Sequence, residues 1–281
     1  MAETKVNDLA DIYKRYPFIW TFLFFLVTFI GVFFWIFGYF LAILIIFLLV
    51  DSGYSQKSSL LDYGLRKQSK SIHYLIFGTI LAFSLMTGIF IVEVYTPLVV
   101  ISGTLFEIQD FLIIFLNLGY YLGFQIIVAG SEELVYRGYI LQETAHRGKA
   151  KAVIWSALLF TVSHLPTIVF SYMEAEALGL VVWYVPIIML GTLFFGGLFL
   201  GLGVIRTGGQ LWFSIGFHFA WNYFQYTIYG LTLEGLFLLE LIPGTELLTG
   251  GGLGPEAGLL GFMAIFFSFL GILLTLRRKR E

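Results

Sequence analysis

The chain has 281 residues, 59% of them hydrophobic and 12% charged, with 31 Phe. Soluble domains carry about 25% charged residues, so this deficit excludes an ordinary soluble protein and points to an integral membrane protein whose first partner is the lipid bilayer. The net charge of −2 arises from segregated charges and implies no nucleic-acid partner, and the absence of Cys excludes disulfides, thiolate metal sites and a cysteine nucleophile.

The N-terminus is polar as far as Arg15 and then enters an apolar run too long for the core of a signal peptide. No small-residue cleavage site follows, so the first segment is expected to remain as an anchor. The apolar runs are Pro17–Val50, Ile72–Val92, Ile108–Leu141, Ala152–Tyr172, Leu178–Ile205, Leu211–Leu231 and Leu259–Leu276. One span needs about 20 residues, which leaves Pro17–Val50 too long for one straight span and short for two.

Charge decides how that run is counted. All 16 Lys and Arg lie at Lys5, Lys14 and Arg15, in Lys57–Lys70, in Arg137–Lys151, at Arg206 and in Arg277–Arg280. Glu93–Asp110, Leu165–Val185 and Leu231–Gly258 contain none. The positive-inside rule puts the first set in the cytoplasm and the second outside. Pro17–Val50 then crosses twice, turning near Gly31–Gly38, with a re-entrant pair as the alternative. The expected fold class is all-α: a polytopic membrane protein of about eight transmembrane helices with both termini cytoplasmic. Residues 1–281 read as a single integral-membrane domain. Gly191, Gly196, Gly197, Gly201 and Gly203 are spaced for close helix packing, and the Gly-rich Gly244–Gly258 reads as a flexible outer connection.

Within the run Ile108–Leu141 lie Glu132, Glu133 and Arg137. Ionisable groups at membrane depth are costly, and they are usually paired and functional. Glu133 and Arg137 are four apart on one helix face, a natural ion pair that supports the helix. Glu132 is five residues from Arg137, about 140° around the helix, and needs a partner from another segment. Two histidines qualify. His164 lies in the run Ala152–Tyr172; His218, with Asn222 four residues on, lies in Leu211–Leu231. At a rise of about 1.5 Å per residue, Glu132 is roughly 22 Å from Arg147, His164 about 20 Å from Lys151, and Asn222 about 21 Å from Gly208. Three helices thus carry Glu, His, His and Asn to one depth. His73 and His146 fall in or beside basic loops and read as solvated surface.

These residue types suit hydrolysis. A carboxylate and an imidazole can orient a water, and the carboxylate can take its proton. A His–Asn pair on one face offers two donors to an oxyanion. Glu132 and His164 are therefore the candidates for activating water, with His218 and Asn222 as the oxyanion donors. Ser131 and Ser163 are weaker nucleophile candidates, because a serine enzyme needs a base placed beside it. Two Glu and two His could also hold Zn²⁺, but the His-Glu-x-x-His spacing is absent and Asn is a poor zinc ligand. The favoured reading has no cofactor and no metal.

Three blocks, Glu132-Glu133-x-x-x-Arg137, Phe160-x-x-x-His164 and His218-x-x-x-Asn222, occur in an order and spacing that resembles the CAAX-protease and bacteriocin-processing family of intramembrane endopeptidases, which includes the Ras-converting enzymes. Gly197-Leu198-Phe199-Leu200-Gly201 and Thr207-Gly208-Gly209-Gln210-Leu211-Trp212 are similar as well, so that the likeness covers roughly Gly119 to Tyr223 and places a catalytic core at about 105–230. The resemblance implies a polytopic helical fold with a cavity reached from the cytoplasm and glutamate-dependent hydrolysis with no required metal. In the prenyl-processing branch it implies a substrate ending in Cys-a-a-X whose Cys carries a prenyl chain, a lipid-accessible partner. Family members also act as bacteriocin-processing or immunity proteins. From another class, a proton-coupled transporter would use the same polar residues, but the paired broken segments of a repeat-built transporter are not visible. Short loops and the lack of Cys suggest a prokaryotic plasma membrane. Oligomeric state stays open.

Overall fold

The computed structural model describes residues 15–32, 36–55, 57–232 and 235–277. The middle of the expected Gly31–Gly38 turn, and Lys5, Lys14, Arg278, Lys279 and Arg280, lie outside the described residues. The protein is mostly helical. Its main helices are α1 (Pro17–Val32), α2 (Ile36–Asp51), α3 (Ser71–Tyr95), α4 (Phe111–Glu133), α5 (Lys149–Ser163), α6 (Leu165–Ala177), α7 (Val185–Arg206), α8 (Trp212–Asn222) and α9 (Leu259–Arg277). Most are apolar on all sides, as expected where lipid takes the place of water and each backbone group must bond within its own helix.

Four stretches among the described residues are long and apolar enough to cross a membrane: Ser71–Tyr95, Phe111–Arg147, Lys149–Ala177 and Val185–Arg206. With the shorter apolar helices α1, α2 and α9 they make an integral membrane protein. α1 and α2 have 16 residues each and pack side by side; at about 1.5 Å per residue each is roughly 24 Å long, less than the hydrocarbon core.

The fold departs from the all-α expectation in one place. Val99–Thr104 (β1) and Phe237–Leu241 (β2) form a two-stranded antiparallel sheet with Val99 opposite Leu241 and Thr104 opposite Phe237. Each strand alone is short and apolar, and only pairing across a long sequence gap makes it a strand. Glu93, at the start of the acidic segment placed outside by charge, is buried in the last turns of α3, which pack near β1.

Helix contacts are closest where glycine allows them. A Cβ on Gly216 of α8 would lie 2.3 Å from the Leu75 carbonyl oxygen of α3, and one on Gly78 of α3 would lie 2.2 Å from the Phe213 carbonyl oxygen of α8. Gly197 of α7 meets Ala157 of α5 in the same way, at 2.8 Å from its Cβ. These contacts clamp α8 against α3 and α7 against α5, fixing two walls of the site.

Gly244–Gly258 is not a flexible connection. Leu253, Pro255 and Ala257 are buried, and the Gly252 N–H donates to the Leu180 carbonyl at 2.9 Å. The turn Pro255–Ala257 packs on α7 and α9. Gly254 has φ 76° and ψ −174°, a conformation essentially restricted to glycine and typical of backbone held under constraint near functional sites. The glycines therefore serve a tight inward fold of the chain.

Candidate active site

Glu132 and Glu133 end the regular part of α4. The chain then widens into a π-helix, Leu134–Ile140, before a last α-helical turn at Leu141–Thr144. Such π segments recur at functional sites because they re-aim side chains and release backbone groups. Here the Tyr136 carbonyl accepts a hydrogen bond from Ser156 Oγ of α5 at 2.8 Å, joining the two helices behind the carboxylates. α8 does the same after Asn222, continuing as the π-helix Tyr223–Ile228.

Glu133 and Arg137 form the expected ion pair at 3.1 Å, and both side chains are fully buried. The guanidinium also lies over the Phe160 ring, 4.1 Å from its centroid, so the second motif block supplies a cation–π face for the buried cation. Glu133 has a second partner that spacing on one helix could not reveal: His218 Nδ1 donates to its Oε1 at 2.9 Å. Arg137, Glu133 and His218 thus form one chain of charge-assisted contacts from α4 to α8.

Glu132 points away from Arg137 and toward both histidines. Its Oε2 is 3.6 Å from His218 Nε2 and 3.9 Å from His164 Nε2. Both separations exceed a direct hydrogen bond, so neither imidazole nitrogen is bonded to the carboxylate directly. Each imidazole is held by its other nitrogen. His164 Nδ1 donates to the Phe160 carbonyl at 2.8 Å, which fixes that tautomer because a carbonyl only accepts. His164 stands at the junction of α5 and α6, where Pro166 lacks the N–H needed to continue the ladder without a break. That break turns the ring toward α4.

Asn222 lies on the same wall, and its Nδ2 donates to Gln125 Oε1 at 3.3 Å. Glu132, His164, His218 and Asn222 together line a cavity of about 130 Å³, with Phe160, Thr167, Trp221, Tyr226 and Glu256 also on its walls. Ser131 donates to the Val128 carbonyl and Ser163 to the Phe160 carbonyl; Ser163 Oγ also lies 3.3 Å from His164 Nδ1, but that nitrogen carries the hydrogen given to the Phe160 carbonyl and cannot take a proton from the hydroxyl. Among the described residues no three His, Asp or Glu side chains group as metal ligands. His73 and His146 are exposed, away from the cavity.

Three neighbours of the site escape sequence reasoning. Gln125 precedes Glu132 by seven residues, two helical turns on the same face, and that spacing was a usable signal. Tyr39 of α2 is buried against Glu132 and Tyr136, and nothing in its apolar run marks it. Glu256 enters from the glycine-rich turn and accepts a hydrogen bond from Trp221 Nε1 at 2.8 Å.

Fold and site together define a polytopic helical membrane protein with a largely apolar cavity into which glutamate, histidine and asparagine side chains converge. Residues 114–224, the stretch from α4 through α8, match the family model described as Type II CAAX prenyl endopeptidase Rce1-like. The match bears out the resemblance of the three motif blocks and contains every one of their residues. Neither the curated proteins nor the solved structures include a match to the chain.

Proposed function

We propose that the protein is an intramembrane endopeptidase that hydrolyses a peptide bond near the C-terminus of a prenylated, Cys-a-a-X-type substrate. The observation that carries this reading is the convergence of two imidazole nitrogens on Glu132 Oε2, at 3.6 and 3.9 Å, on the wall of a cavity. The family match over the same residues supports the substrate class.

A water between Glu132 and His164 loses a proton to the Glu132 carboxylate as its oxygen attacks the scissile carbonyl. His164, with Nδ1–H held by the Phe160 carbonyl, presents Nε2 to that water. The tetrahedral oxyanion needs donors placed in advance. Asn222 uses one amide hydrogen on Gln125 and has the other for the oxyanion. His218 can donate from Nε2 only when both nitrogens carry protons, because its Nδ1–H is engaged by the Glu133 carboxylate. Arg137 pairs with Glu133 in turn. The chemistry is read as metal-free, with the site reached from the cytoplasm of a prokaryotic plasma membrane.

The test is cleavage of a fluorogenic farnesylated Cys-a-a-X peptide by purified protein, with products identified by mass, in the presence and absence of excess chelator. Release of the C-terminal tripeptide that survives chelation is the expected result. Cleavage abolished by chelator and restored by Zn²⁺ would overturn the metal-free reading. Cleavage of unprenylated peptides alone would move the substrate to the bacteriocin-processing branch.

A further inference from the structure

We propose that Glu256 is a further catalytic residue of the hydrolysis, the acid that gives its proton to the departing amine; the inference rests on the endopeptidase reading above. Glu256 lies outside the three motif blocks and outside the matched segment 114–224. It nevertheless lines the same cavity as Glu132, His164, His218 and Asn222. Amide hydrolysis asks for two opposite proton transfers, one from water and one to nitrogen, and two carboxyl groups in different surroundings can divide them.

The placement of Glu256 is built rather than incidental. The turn that carries it packs on α7 and α9, and a Cβ on the preceding Gly254 would lie 2.8 Å from Thr232 Cγ2. Trp221, on the same helix as His218 and Asn222, donates its indole N–H to Oε1 at 2.8 Å. An oxygen that accepts an N–H is the poorer place for a proton, so the acidic hydrogen belongs on Oε2.

The groups facing Glu256 come from three helices: Glu132 of α4, His164 of α5, and His218 and Tyr226 of α8. Burial raises its carboxyl above the usual carboxylate range, and Glu132 adds to this, while His164, His218 and the Trp221 N–H act in the opposite sense. Glu256 therefore keeps its proton to higher pH than a solvated glutamate does. In the step itself the C–N bond breaks, its electron pair stays on nitrogen, and nitrogen takes the Glu256 proton. Glu132, which holds the proton removed from water, returns it to Glu256 through solvent in the cavity, and both groups are restored.

The experiment compares Glu256→Gln with wild type on two substrates: the farnesylated peptide, and a farnesyl-cysteine 4-nitrophenyl ester whose leaving group departs without protonation. Glutamine still accepts from Trp221 but cannot transfer a proton. The expected result is a fall of about 10²-fold or more in kcat on the peptide, with KM and the ester rate held within about 3-fold. Equal losses on both substrates mark a structural role and overturn the proposal, as does an unchanged peptide rate. If the variant does not fold, the wild-type pH profiles decide. Loss of the His218 proton slows both substrates alike, so the peptide kcat should fall on a further alkaline limb that the ester kcat lacks, and identical profiles overturn the proposal. A wild-type protein inert on both substrates refutes the endopeptidase reading itself, and the inference with it.

Discussion

Arg137→Met strips the guanidinium from the buried pair and leaves an unbranched stem of comparable reach. The pair is separated by 3.1 Å with neither side chain exposed. Unit charges at that distance attract by roughly 5 kcal/mol at an effective dielectric of about 20. Removing one member of a buried pair costs about 3–5 kcal/mol, because the other charge stays behind without compensation. The contact with Phe160 adds up to about 2 kcal/mol. His218 still donates to Glu133, which moderates the loss. Arg137→Met should therefore lower the stability of detergent-solubilised protein by about 3–5 kcal/mol in unfolding followed by circular dichroism. Glu133→Gln added to Arg137→Met removes the stranded charge and should recover much of that loss. An Arg137→Met protein within about 1 kcal/mol of wild type, or a double variant whose loss equals the sum of the singles, would refute the reasoning.

Asn222→Ala should reduce kcat by about 10²–10³-fold, the usual cost of one oxyanion donor. Gln125→Leu should act in the same direction and more weakly, since it frees the Asn222 amide without removing it; steady-state kinetics on the farnesylated peptide would check both. Tyr63→Phe removes a hydroxyl that donates to the buried Glu143 carboxylate, which Ser55 also contacts at 3.0 Å, and should cost about 1–3 kcal/mol in the same unfolding assay. Gly216→Ala places a methyl 2.3 Å from the Leu75 carbonyl oxygen; it should destabilise by about 1–3 kcal/mol or more, whereas Gly88→Ala, with open space at its Cβ, should not destabilise.

The motif residues were legible because intramembrane charge is rare enough to carry meaning, and because helical rise converts spacing into depth. Glu132, His164, His218 and Asn222 meet at one cavity, and Glu133 pairs with Arg137, as spacing along single helices predicts. What spacing could not give was contact between helices. The Glu133–His218 bond depends on the relative phase of two helices, which spacing along either one does not carry. β1 and β2 are separated by more than a hundred residues and exist only through their pairing. Gly244–Gly258 misled for a physical reason: glycine permits both looseness and very tight backbone, and only the neighbours at Leu180, Thr232 and α9 decide between them. Glu256 was hidden by that same ambiguity.

In the proposed mechanism Glu132 is the group that takes the proton from water. Glu132→Gln keeps the size and polarity of the side chain and removes only its basicity. Its kcat on the farnesylated peptide, measured beside wild type on protein shown to be folded, should fall by at least about 10²-fold, with KM little changed. A Glu132→Gln protein that cleaves as fast as wild type would contradict the account at its centre.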